Sequence, residues 1–379
     1  MHILAFFFHF PPISGGGVVV IADIVNTLAE MGHDVTVLTP DLEWTGPRYD
    51  PKINSKVDVI RVKTLSRSNM KVAARLCQRN LKKMGEKICS EKKIDLIFTI
   101  FHPFHLVPNA AVSCAKKLGI PSIIKIDDAV YAKSSGLKSL QRMLEKKFSI
   151  KSLQGAKEIL VLNKEMKNTV IRAYNILAEK IFIMPNGINE SFFQLKDDVK
   201  REQKIVFSGV MYYHRGLDML LEAVEKVIKN IPNAKFVFLG SGPEEQKLKE
   251  IVLKKNLNPN VEFKGWIDRI EIPIHLSTAS IGIGPLKLTP VTENSIPIKV
   301  LEYMASSLPI IAKCGTLSKD VLEHGKNGFF VDDADELANR IIELLENQKS
   351  AKEFGLESFN MVKKFSWKNL FNSVLEKYL

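Results

Sequence analysis

No apolar run in this sequence reaches the roughly 18–20 residues that span a bilayer. The longest candidate, Val18 to Val25, is interrupted by Asp23. The Ile3-Leu-Ala-Phe-Phe-Phe8 run has no basic flank and no small-residue cleavage site, so it reads as a first buried strand and not as a leader. Cysteine is scarce. Cys77, Cys89, Cys114 and Cys314 show neither metal-ligand spacing nor a dense disulfide pattern, and are expected to be buried free thiols in a reducing cytoplasm. Solenoid repeats and low-complexity tracts are absent too. Carboxylates are thin over residues 51–150, where 7 face 21 lysines and arginines. That region supplies the surplus behind the net charge of +12. No zinc-ligand, RNA-recognition or helix-turn-helix signature accompanies the charge, so nucleic acid is not the expected partner. An anionic acceptor, the inner face of an anionic membrane, or a solvated basic surface each account for it.

What is present is an alternation of short apolar runs with helical patterns over 379 residues, 45% of them hydrophobic. That alternation predicts parallel sheets with crossover helices. The runs in the first half are His2–Phe8, Asp34–Thr39, Val57–Val62, Ile94–Ile100, Ser122–Ile126, Glu158–Leu162 and Ile181–Met184. In the second half they are Lys204–Phe207, Lys235–Leu239, Val261–Phe263, Ser280–Ile283, Pro309–Ala312 and Gly328–Val331. The polar stretch 194–203 between the two sets is the expected linker. The fold class is therefore α/β, with two Rossmann-like doubly wound domains over 1–193 and 204–364. Ligands are expected in a cleft at the carboxyl ends of the strands.

Several turns at those strand ends carry chemistry. The segment Pro290-Val-Thr-Glu293-Asn294-Ser295-Ile296-Pro297-Ile-Lys299-Val300-Leu-Glu302 reads as a polar loop entering a helix. A helix start offers unpaired N–H groups and partial positive charge to a phosphate, and Pro297 suits the first helical turn. Lys299 and Glu302 share a helix face; they either hold phosphate and ribose or form an ordinary surface pair. Gly15-Gly16-Gly17 lies between the first strand and a helix whose apolar face is Ile21, Ile24, Val25 and Leu28. Glycines there let backbone amides approach an oxyanion. Arg215 follows the Phe207–Ser208–Gly209 strand end, and Trp266-Ile267 follows Val261–Gly265. Asp127-Asp128 after Ser122–Ile126 is an acid–base candidate, a poor metal cage, or a simple turn. His102 and His105 stand at another strand end.

In this order the motifs resemble retaining glycosyltransferase family 4, over nearly the whole chain and most densely in 204–331. The carrying residues are Pro11-Pro12…Gly15-Gly16…Gly32-His33-x-Val-x-Val-x-Thr, Pro185-Asn186-Gly187-Ile188-Asn189, and Glu302 with its following Tyr-Met-Ala and Leu-Pro-Ile-Ile. In that family two glutamates flank seven residues; the first falls on Asn294 here, with Glu293 one residue early. An arginine usual after the first glycine of the 207–218 segment is Val210, and a lysine is Arg215. The resemblance implies a two-domain GT-B fold. Its last helix, about 365–379, returns to the first domain.

It also implies donor contacts from Gly15, Gly16, Gly209, Arg215, Trp266, Ile267, Ser295, Ile296, Pro297, Lys299, Val300 and Glu302. Lys299 or His214 would take over from the missing arginine. Glu293 and Asn294 would hold the transferred sugar, and Asp127 would stand where relatives carry a histidine beside it. The implied activity is hexosyl transfer from a nucleotide-diphosphate sugar, a co-substrate, to a saccharide or lipid-linked acceptor in polysaccharide synthesis. No metal or other cofactor is required. The expected location is cytoplasmic, peripheral on the inner membrane face. Two other readings are a degenerate scaffold that binds nucleotide sugars, favoured by Val210 and Asn294, and a sugar-nucleotide epimerase on the same fold.

Overall fold

The computed structural model describes residues 1–13, 15–46, 48–64, 66–102, 106–127, 137–193, 201–289 and 292–378; the side chains of 71, 137–145 and 191 are outside it. Asp128, His105, Pro290, Val291 and residues 194–200 of the expected linker lie outside the described residues.

The chain forms two compact units. One comprises Met1–Pro185 with Trp367–Leu379, the other Asn186–Ser366. The first holds β1 (His2–Phe6), β2 (Asp34–Pro40), β3 (Val57–Val62), β4 (Leu96–Phe101), β5 (Ser122–Ile126), β6 (Glu158–Val161) and β7 (Ile181–Ile183). They run parallel in the order β3-β2-β1-β4-β5-β6-β7. The second holds β8 (Lys204–Ser208), β9 (Lys235–Leu239), β10 (Val261–Gly265), β11 (Ile281–Ile283), β12 (Ile310–Lys313) and β13 (Gly328–Val331). These are parallel in the order β10-β9-β8-β11-β12-β13. Strand order reverses between β1 and β4 in one sheet and between β8 and β11 in the other. Open α/β sheets bind ligands at such points.

Both faces of each sheet are covered by helices, which explains the unbroken apolar runs. In the second unit Ile205 and Phe207 point to one face, into a core with Phe236, Phe238 and Ile283. Val206 points to the other, with Val237, Val300 and Tyr303. The alternation is the two-residue period of a strand. The helix Leu217–Asn230 buries Leu217, Leu220, Leu221, Val224 and Val227, one stripe at helical spacing.

Arg201, from the stretch read as linker, belongs to the second unit. Its guanidinium donates to the carbonyls of Ala279 at 2.6 Å and Ser306 at 2.8 Å. Phe365 packs in the second unit's core. Trp367, one residue past Ser366, opens a helix to Leu375 that belongs to the first unit. Its indole is 1% exposed and stacks on Phe371 at 5.9 Å, which meets Phe98 of β4 at 6.3 Å. Cys77 and Cys114 are buried, but Cys89 is only half-buried and Cys314 is exposed, so burial of all four thiols does not hold.

Candidate functional site

The reversal point of the second sheet gathers most of the expected donor residues. Gly209, directly after β8, has φ of 119°, and a Cβ there would come within 3.1 Å of Lys299 Nζ. The positive φ and the close ammonium both favour glycine. Lys299 lies in the first turn of the helix Ile298–Ala305. Pro297 is the residue that caps this helix, one place before the expected first turn. Tyr303 anchors the helix, its hydroxyl accepting a 2.7 Å hydrogen bond from the Ser208 N–H. The Tyr303 ring occupies the space a side chain at Gly282 would need, with Cδ2 only 2.6 Å from a Cβ built there. Helix and strands are thereby locked together, and Lys299 is aimed at the end of β8.

Lys299 is 9% exposed, and its Nζ lies 3.8 Å from the centre of the Phe207 ring. Among the described residues this ammonium has no hydrogen-bond partner. Burial, then the neighbouring Arg215 charge, hold it well below the ordinary lysine value, with Glu302 acting the other way. Arg215 ends a short turn after Tyr213 and lends its carbonyl to the Leu286 N–H at 2.9 Å. Its guanidinium is largely buried and Nε has no partner among the described residues. Burial lowers Arg215 as well. Burial first, then Arg215 and Lys299, lower His214. Two buried cations side by side, with donors left over, are unfavourable until an anion arrives. The helix end adds partial positive charge in the same place. Val210 contributes only a partly exposed apolar surface.

Glu302 is not in a surface pair with Lys299. It is 4% exposed, and Arg269 Nε donates to its Oε1 at 3.3 Å. Val300 is fully buried in the core and its N–H bonds to the Pro297 carbonyl, so its side chain stands apart from the anion pocket. Glu293 and Asn294 are exposed at the tip of a braced loop. Thr292 Oγ donates to the Lys287 carbonyl at 2.6 Å, Asn294 N–H to Gly315 at 3.0 Å, and Ser295 N–H to Thr316 at 3.1 Å. Asn294 has φ of 45°, a left-handed conformation that asparagine tolerates better than glutamate. Ile296 is half-buried. Trp266 is 50% exposed, and Ile267 packs against the core below it.

In the first unit, Gly15 and Gly16 open the helix Gly16–Glu30 with empty space where their Cβ atoms would be. Asp127 pairs with Lys125 of β5, whose side chain is fully buried. Lys125 also lies 5.9 Å from the Trp367 ring centre. Burial lowers this lysine while Asp127 raises it. His9, beyond β1, is pulled down to about 4 by burial and then by the charge of His102, beyond β4.

Sequence reading missed Arg269 and Lys125. Arg269 sits 33 residues from its partner, with no periodic signal. Lys125 did leave one: a lysine inside an otherwise apolar strand, two residues before Asp127 and so on the same face.

The basic stretch is partly neutralised. Arg67 pairs with Asp41 and Glu43, Lys82 with Glu86, and Lys87 with Glu91. Arg61 donates to the Pro11 carbonyl. Lys63, Arg79 and Lys83 remain exposed with no ion pair among the described residues. No helix among them is long and apolar enough to cross a membrane.

Residues 188–361 match the family profile "Glycosyl transferases group 1", and residues 14–192 match "Glycosyltransferase Family 4". An uncharacterised glycosyltransferase of Methanocaldococcus jannaschii is 24% identical, over 97% of this chain and 95% of that protein. Alpha-monoglucosyldiacylglycerol synthase of Acholeplasma laidlawii is 23% identical, over 89% and 86%. Among solved structures, Anabaena HepE in complex with UDP superposes with a TM-score of 0.73 at 14% identity, covering 100% of this chain and 99% of that one. Two doubly wound units, matched by glycosyltransferase profiles that together run from residue 14 to residue 361, make this chain a glycosyltransferase of the GT-B fold.

Proposed function

We propose that the protein is a retaining hexosyltransferase of family 4 that uses a nucleotide-diphosphate sugar. The observation that carries this reading is the buried, unpartnered ammonium of Lys299 beside Arg215, at the start of Ile298–Ala305. A diphosphate supplies the charge this pocket lacks. Anabaena HepE, of the same fold, is known with UDP and with UDP-glucose, which supports the donor class.

When the bond between the anomeric carbon and the phosphate oxygen breaks, its electron pair goes to the diphosphate. Lys299, Arg215 and the helix end stabilise the charge that develops. An acceptor hydroxyl forms the new bond from the same face, and its proton passes to the departing phosphate oxygen. Glu293 and Asn294 hold the sugar hydroxyls, and Glu302 the ribose. Gly15 and Gly16 leave room for a phosphate, and Asp127, held by Lys125, orients a hydroxyl. Two protein cations do the neutralising work that a metal does elsewhere, so no metal is required.

The acceptor is a saccharide or a lipid-linked molecule of glycan synthesis; the Acholeplasma relative, by its name, makes a glycolipid. The exposed cations Lys63, Arg79 and Lys83 fit a peripheral position on the inner face of an anionic membrane.

The test is calorimetric titration with UDP, GDP and ADP, first without metal and then with magnesium. Micromolar binding of one nucleotide, lost in Arg215→Ala and Glu302→Ala, is expected. Failure of all three to bind would sink the donor site.

A further inference from the structure

Arg269 has no place in the motifs that point to this enzyme class, yet it holds the carboxylate at the centre of the donor site. It lies in the turn after β10, where the Glu271 N–H bonds to the Asp268 carbonyl at 2.9 Å and the Ile272 N–H to the Arg269 carbonyl at 3.3 Å. The backbone of that turn is therefore set before any ligand arrives. The guanidinium carbon lies 5.1 Å from the centre of the Phe192 ring, while Nε donates to Glu302. The side chains of Arg269 and Glu302 are 14% and 6% exposed. A carboxylate buried this deeply loses its hydration, and a guanidinium fork resting on an aromatic ring is a rigid replacement for it.

The turn that carries Arg269 also carries Trp266 and Ile267. One guanidinium thus ties the loop beyond β10 to the carboxylate on the helix Ile298–Ala305. The phosphate pocket draws its cations from other residues, Lys299 and Arg215 beside Gly209.

We propose that Arg269 is a positioning residue for ribose recognition: it holds the Glu302 carboxylate turned toward the ribose hydroxyls, and sets the adjoining loop in register with it. This rests on the reading of the pocket as a nucleotide-diphosphate site. It adds that selectivity for ribose over deoxyribose depends on a residue that touches neither sugar nor phosphate.

The experiment is calorimetry on the full chain with inorganic pyrophosphate, with UDP, GDP and ADP, and with the 2′-deoxy form of whichever nucleotide binds tightest. In the unmodified protein the ribonucleotide is expected to bind about tenfold more tightly than its deoxy form, one charged hydrogen bond's worth. In Arg269→Met that ratio should fall toward one, while pyrophosphate affinity stays within about twofold because its own cations are untouched. A general structural role would weaken all the ligands together, and that result overturns the proposal. So does an Arg269→Met protein that keeps the full ratio, or an unmodified protein with no ratio to lose although it binds pyrophosphate. If Arg269→Met shows no cooperative melt, Arg269→Lys takes its place: charge without the planar fork should give an intermediate ratio, and an unchanged one overturns the proposal. Failure of every nucleotide and of pyrophosphate to bind the unmodified protein removes the donor-site reading, and this inference with it.

Discussion

A lysine ammonium beneath the protein surface, with an arginine for a neighbour, is disfavoured both by lost hydration and by like charge. The sign of the resulting pH dependence follows. The folded-state value is below the unfolded one, so between the two the unfolded chain binds the extra proton, and stability rises with pH through that window. The penalty from Lys299 is complete below its folded value and gone above the ordinary lysine value. A bound diphosphate reverses the local field and raises the Lys299 value again, so a pH inside the window it crosses is where binding and protonation are linked. Nucleotide binding is therefore expected to take up protons, measurable as a dependence of the calorimetric heat on buffer ionisation enthalpy. Lys299→Met should raise the urea midpoint of the free protein and weaken nucleotide binding by at least about tenfold. A variant that is less stable and binds normally would show that the ammonium is structural. Asn294 makes the same kind of point in the backbone: its φ of 45° accounts for an asparagine where the resembled motif has a glutamate.

Helix Ile298–Ala305 aims Lys299 because Tyr303 is wedged against β11. Gly282 is the space the ring uses. Gly282→Ala forces the ring, and with it the first turn of the helix, away from the sheet. Overpacking of this kind costs about 1–3 kcal/mol. Reduced urea stability together with weaker pyrophosphate binding is the expected result, whereas a stability loss with unchanged binding would detach the wedge from the pocket. The strands at this scale were legible because most are apolar runs, many of them closed by Gly, Pro, Asp or Ser, and strands buried on both faces need little else. The helix start after Glu293 was legible for a similar reason, a polar loop followed by a proline. The partner of Glu302 was not. Two groups three apart on one helix suggest a pair, but burial turns Lys299 toward Phe207 and leaves Glu302 to an arginine from another loop. Nothing local encodes that choice; it is made by tertiary packing. The pairing within the basic stretch was not legible either, since carboxylates from other elements, such as Asp41, reach into it.

Across the whole molecule the net charge of +12 remains to be used. With Arg67, Lys82 and Lys87 in ion pairs, attraction to an anionic surface rests on exposed groups such as Lys63, Arg79 and Lys83. Co-sedimentation with phosphatidylglycerol vesicles is expected to fall as salt rises and to drop further in Arg79→Glu/Lys83→Glu, with little binding to phosphatidylcholine. Binding indifferent to salt would count against a membrane role for this face. The first unit is written in two pieces, Met1–Pro185 and Trp367–Leu379, with the second unit inserted whole between them. During synthesis from the amino end, the inserted unit is complete once Ser366 has emerged. The earlier-made one still waits for Trp367 and Phe371 to close over Lys125 and Phe98. The order of manufacture and the order of completion are opposite, and the half of the molecule translated first is the last to be sealed.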